Sequence, residues 1–104
     1  INCADEAEAE RTAQMFSTVF GWEYKPGNSS VFSGTAVECM KTPYLGERGH
    51  IAVGTNNVDR AMYHLGLHGI TFDESTRKTD AKGKTKAIYL KDSFCGFAVH
   101  LVQK

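Results

Sequence analysis

Two halves of this chain read alike, and that internal repeat limits its possible folds more than any other feature. Laid on one another, INCADEAEA (1–9) matches VGTNNVDRA (53–61), each a strand end, a polar cap and a helix start. FGWEY (20–24) matches HGITF (68–72), each a helix stop followed by a strand, and TAVECMK (35–41) matches FAVHLVQ (97–103). Each half therefore runs strand, helix, strand, strand, strand, with the divide at about Arg48. Repeats of roughly fifty residues usually build solenoids or propellers, and two copies are too few for either. What remains is an α+β layer fold of two βαβββ modules, 1–48 and 49–104. They are expected to form one curved, mostly antiparallel sheet with the helices on its convex face.

Local signals agree with that order. DEAEAERTAQMFSTVFG sets Ala9, Ala13, Phe16 and Phe20 at helical spacing. Asp5 caps its start, Glu8 stands three residues on as in a capping box, and Gly21 ends it. In the second half Asn57 is the cap, Val58, Ala61, Met62 and Leu65 form the apolar stripe, and Gly69 is the stop. Extended pieces are expected at 22–25, 30–32, 35–41, 50–55, 71–74, 85–91 and 97–102, with turns such as KPGN, DAKGK and DSFCG between them.

Composition narrows the function classes. Twelve basic and twelve acidic residues cancel, so nothing electrostatic recommends nucleic acid or an anionic membrane as a partner. No apolar run reaches the length of a membrane span or a signal-peptide core. Cys3, Cys39 and Cys95 are odd in number and lack metal-type spacing, which predicts free thiols in a reducing cytoplasm. Cys39 and Cys95, in apolar strand-like contexts, are expected to be buried. The sequence opens at Ile1 inside what reads as a strand, so further residues are expected upstream.

Strand alternation singles out three polar side chains. Glu38 shares a face with Ala36 and Met40, opposite Val37 and Cys39. His50 shares with Ala52 and Gly54, opposite Ile51 and Val53. His100 shares with Ala98 and Val102, opposite Phe97, Val99 and Leu101. Each time the bulkier apolar set lies on one face, suited to packing under a helix. The polar residue keeps mostly small neighbours, which leave room for a cavity. A lone strand histidine is ordinarily a hydrogen-bonded core residue; three polar positions aligned by a repeat give a ligand role equal standing. His64 and His68, spaced i, i+4, read as a solvated helix face rather than a metal site. Trp22 and Tyr24 read as core or interface aromatics.

The doubled βαβββ order resembles the vicinal oxygen chelate superfamily, the glyoxalase I, bleomycin-resistance and extradiol-dioxygenase group. Its most specific parts are GHIAVGTNNVDRAMYHLGLHGITF and IYLKDSFCGFAVHLV, the latter like that family's closing hairpin. The resemblance implies a metal site with Glu38, His50 and His100 as ligands and a fourth ligand three residues before Ile1. Two imidazoles and a carboxylate suit Zn²⁺, Ni²⁺, Mn²⁺, Co²⁺ or Fe²⁺ without choosing among them. Glu38 away from the metal would serve as a general base. Tyr44 and Arg48, between the modules, are candidates to reach a ligand's ring or carboxylate. The wording of GNSSVF, ECMKTPYLGERGHIA and AVHLVQK further resembles glyoxalase-like domains at the C-terminus of bacterial 2-keto-3-deoxy sugar-acid enzymes, chiefly 2-keto-3-deoxy-phosphogluconate / 4-hydroxy-2-oxoglutarate aldolases. It implies an upstream catalytic domain, a 2-keto acid or similar small molecule as ligand, and a possible homodimer. Three functions stay open: a metal-dependent lyase or isomerase of glyoxalase type, a metal-free ligand-binding module, and an oligomerisation domain.

Overall fold

A computed structural model describes residues 1–104, and its backbone contacts gather them into two compact units, Ile1–Gly49 and His50–Lys104. The class is α+β, with two helices and seven strands. Hydrogen bonding divides those strands between two sheets, three in the first and four in the second.

In the first unit, helix α1 (Glu6–Phe20) starts where Asp5 takes extended backbone and its carboxylate accepts from the Glu8 N–H at 2.8 Å. The Glu8 carboxylate reaches back to the Ala4 N–H at 2.8 Å, closing the capping box one residue earlier than usual. Strands β1 (Tyr24–Pro26), β2 (Ser30–Ser33) and β3 (Val37–Met40) follow as an antiparallel meander, pairing Val31 with Cys39 and Phe32 with Glu38. The N-terminal residues join the far side of β3 in parallel: Asn2 bridges Met40, Met40 N–H donates to the Ile1 carbonyl at 2.9 Å, and Cys3 N–H to the Met40 carbonyl at 3.2 Å. Ala9 and Ala13, fully buried, set α1 against Val31, Cys39 and Cys3. Small helix residues there let the backbone approach the sheet closely. Since Cys39 faces the helix, alternation puts Glu38 on the opposite face of the sheet.

The second unit repeats the plan. Strand β4 (Gly49–Thr55) leads to α2 (Val58–Leu67), capped by Asn57, whose side chain accepts from the Arg60 N–H at 3.0 Å. Strands β5 (Phe72–Thr79), β6 (Thr85–Leu90) and β7 (Phe97–Gln103) complete a sheet of order β4-β7-β6-β5. The fourth strand of the module thus lies beside its first, as β3 lies beside Asn2 in the other unit. Val58, Ile88 and Leu101 form the core, with Ala61, Met62, Leu65 and Phe72 packed around it. Burying Ile88 and Leu101 contributes about 2 kcal/mol each in transfer free energy, the main attachment of α2 to the sheet.

Three expectations are corrected. Ile51 and Val53, assigned to the face under a helix, are 49% and 46% exposed. Helix α2 packs on β6 and β7, whereas β4 stands at the edge of its sheet. Cys95 is exposed, because DSFCG forms the turn between β6 and β7 and puts Cys95 at φ 51°; Cys3 and Cys39 are buried. Strand β5 continues to Thr79, well past the expected stretch. No helix is long and apolar enough to cross a membrane.

Candidate functional site

Two of the sequence-assigned residues meet within the second unit. His50 on β4 and His100 on β7 have ring centroids 5.4 Å apart with planes inclined at 61°. Both are half-buried, and the Nδ1 atom of each ring is shielded from solvent. Their face follows from the core: Leu101 and Ile88 point at α2, so their neighbours His100 and Tyr89 point away from it.

Sequence reasoning missed a third member, Tyr89. It sits opposite His100 in the β6–β7 ladder. The two rings stack at 4.6 Å and 22°, and Tyr89 also meets His50 edge-on at 6.1 Å and 71°. Fixing the hairpin register across KDSFCG would have found it, because residues opposite each other share a face.

Behind Tyr89 the sheet is irregular. Strand β5 pairs Asp73 with Tyr89 and then Lys78 with Ala87, so Glu74, Ser75, Thr76 and Arg77 stand opposite Ile88 alone. Side chains hold this bulge. Ser75 donates its N–H and hydroxyl to the Asp73 carboxylate at 3.0 and 2.6 Å. The Thr76 hydroxyl donates to the Asp73 carbonyl at 2.7 Å and accepts the Tyr89 N–H at 2.9 Å. Arg77 forks onto Glu74 at 2.7 and 2.9 Å, and also meets Thr85 and Asp59. Those contacts hold the Glu74 carboxyl below the usual range, chiefly through the Arg77 hydrogen bonds. They do the same for Asp59, chiefly through the Thr85 hydroxyl.

The other assigned residues lie in the first unit. Glu38 accepts a 2.7 Å hydrogen bond on Oε2 from Ser30, a buried hydroxyl on the same sheet face. Tyr44 is 52% exposed, in a loop that Asn2 brackets: Asn2 Oδ1 accepts from Tyr44 N–H at 3.0 Å, and Nδ2 donates to the Tyr44 and Gly46 carbonyls at 3.3 and 2.8 Å. Arg48 is exposed, and its carbonyl accepts from Asn2 N–H at 3.1 Å. His64 and His68 are exposed, His64 at the end of α2 and His68 as its cap.

Against known proteins, no family model matches this sequence and no curated protein does. Among solved structures, the chain is similar to a member of the glyoxalase/bleomycin resistance protein/dioxygenase superfamily from Sphaerobacter thermophilus. That likeness has 18% identity and a TM-score of 0.40, over 99% of this chain and 92% of the other. At such values it does not establish a family.

Proposed function

We propose that this chain is a glyoxalase-like module in which His50 and His100 hold a divalent metal ion and, beside it, a small α-oxygenated acid or aldehyde. The observation that carries the reading is the pairing of two strand histidines 5.4 Å apart on the sheet face that α2 leaves uncovered. Two imidazoles whose ring centres lie that close supply part of a donor set that Zn²⁺ or Ni²⁺ accepts. Glu38, which the repeat sets opposite His100, is the carboxylate that the reading adds on sequence grounds. A divalent ion held by such donors polarises a carbonyl and stabilises enediolate-like charge. Within the second unit Tyr89 would supply an aromatic wall beside the pair; Tyr44 and Arg48 are the groups that the sequence alone assigns to the ligand's ring or carboxylate. The 2-keto-acid ligand and the attachment to an aldolase of sugar-acid breakdown are proposed from the wording of the sequence alone.

Calorimetric titration of the chain with Zn²⁺ and Ni²⁺ tests the reading. Stoichiometric binding is expected, with His50→Ala and His100→Ala each weakening it by more than about 100-fold, beyond what loss of an outer-shell partner does. Glu38→Gln should weaken it less. A chain that takes neither ion overturns the metal reading. A thermal shift with 2-keto acids that persists in excess chelator would replace it with metal-free binding at the same face.

A further inference from the structure

A strand histidine has one soft torsion left once its χ1 is set: rotation about χ2 is broad, so the ring plane needs a neighbour to fix it. For His100 that neighbour is Tyr89, stacked nearly parallel at 4.6 Å. The placement of Tyr89 is itself unusual. In a regular antiparallel pair its N–H would bond the Asp73 carbonyl directly. Asp73 and Tyr89 are paired here too, and the Thr76 hydroxyl joins that rung, accepting from Tyr89 N–H at 2.9 Å and donating to the Asp73 carbonyl at 2.7 Å. The bulge that brings Thr76 there bends the strand and changes the local twist, which re-aims the side chain next to it.

We propose that Tyr89 is a positioning residue of the histidine pair, its ring setting the plane of the His100 imidazole, and that the β5 bulge sets Tyr89 through Thr76. The proposal deepens the reading of His50 and His100 as a ligand-holding pair and rests on it for its effect on affinity. The geometric part stands apart from that reading.

The test combines aromatic-proton spectra of the full chain with Zn²⁺ titration, in Tyr89→Leu, Tyr89→Phe, Thr76→Val and Thr76→Ser. A ring proton over an aromatic face is shielded, so His100 resonances should lie upfield in the parent and in Tyr89→Phe. They should move downfield in Tyr89→Leu, and part of the way in Thr76→Val but not in Thr76→Ser. Zinc affinity should fall about tenfold in Tyr89→Leu and recover in Tyr89→Phe, the size of effect that orienting neighbours have on a ligating histidine. His100 resonances unchanged in Tyr89→Leu would overturn the proposal, and so would an unchanged affinity once they have moved. Resonances unmoved in Thr76→Val would remove the bulge from it. If the parent binds no Zn²⁺, the metal reading fails, and the ring-proton positions alone decide whether Tyr89 sets His100. Should Tyr89→Leu not fold, the Thr76→Val and Thr76→Ser pair makes the same decision.

Discussion

The two units share a plan and differ at the position where each carries its polar strand residue. In the first, Glu38 faces away from α1, in a ladder whose rungs run in unbroken register from Ser33–Val37 to Ser30–Met40, and the buried Ser30 hydroxyl holds its carboxylate. In the second, His100 faces away from α2 and stacks on the Tyr89 ring, beside a ladder interrupted by a bulge. A carboxylate accepts at either oxygen from several directions. An imidazole needs its plane set as well, and the second unit carries the additional irregularity. The scaffold repeats; the cross-strand neighbours individualise it.

The cores offer the largest break in that likeness. The first unit packs two alanines of α1 on Val31 and Cys39, whereas the second hangs α2 on Ile88 and Leu101. Ile88→Ala should therefore destabilise by about 3 kcal/mol in urea unfolding, since it leaves a cavity under α2. Val31→Ala should cost about 2 kcal/mol, as it removes less volume beneath an already close helix. Equal losses would mean that the two helices are attached in the same way despite their different residues.

Much of this comparison was legible in the sequence, and what was not has physical causes. The helix caps at Asp5 and Asn57 and the stops at Gly21 and Gly69 are local chemistry, readable from neighbouring residues. The pairing of His50 with His100 follows from the resemblance to a two-module family, and period-two alternation agrees with it. Strand β5 was cut short because DESTRKT has no apolar alternation; it is an edge strand held by side-chain hydrogen bonds, a signal that hydropathy does not carry. Tyr89 was missed because cross-strand neighbours depend on register, which the turn decides. Ile51 and Val53 were misplaced because alternation gives the two faces of a strand without saying which strands the helix reaches.

A smaller effect should separate the units by pH. In the first, Glu6 at the start of α1 meets Lys41, just past β3, at 3.8 Å; the second makes the tighter tie, Asp59 accepting from the Thr85 hydroxyl at 2.7 Å and from its N–H at 3.3 Å, with Arg77 3.5 Å away. Thr85 is buried, so Thr85→Val should cost about 1 kcal/mol at neutral pH. These contacts lower the folded-state pKa of Asp59, so their contribution is present above the ordinary carboxylate range and lost as pH falls through it. The difference in urea midpoint between the parent and Asp59→Asn should then shrink between about pH 5 and pH 3. A difference that stays constant over that range would mean that Asp59 acts through shape rather than charge.

The smallest expected difference concerns positions where the repeat holds most closely. Gly21 has φ 73° and its N–H bonds the Ser17 carbonyl at 2.9 Å. Gly69 has φ 84°, its N–H bonds the Gly66 carbonyl at 3.0 Å, and Ile70 N–H returns to Leu65 at 3.2 Å. The first is a single-bond left-handed stop and the second a two-bond one. Around both, an added Cβ meets nothing within 4 Å, so the backbone conformation alone sets the cost of a side chain. Left-handed backbone costs an L-residue about 1–2 kcal/mol, partly offset by the entropy that alanine removes from the unfolded chain. Gly21→Ala and Gly69→Ala should each cost about 1 kcal/mol and agree within a few tenths, and asparagine should cost less at either place. If Gly69→Ala were much the costlier, the second hydrogen bond of its stop would be the reason. The modules would then differ in how their helices end as well as in what their strands carry.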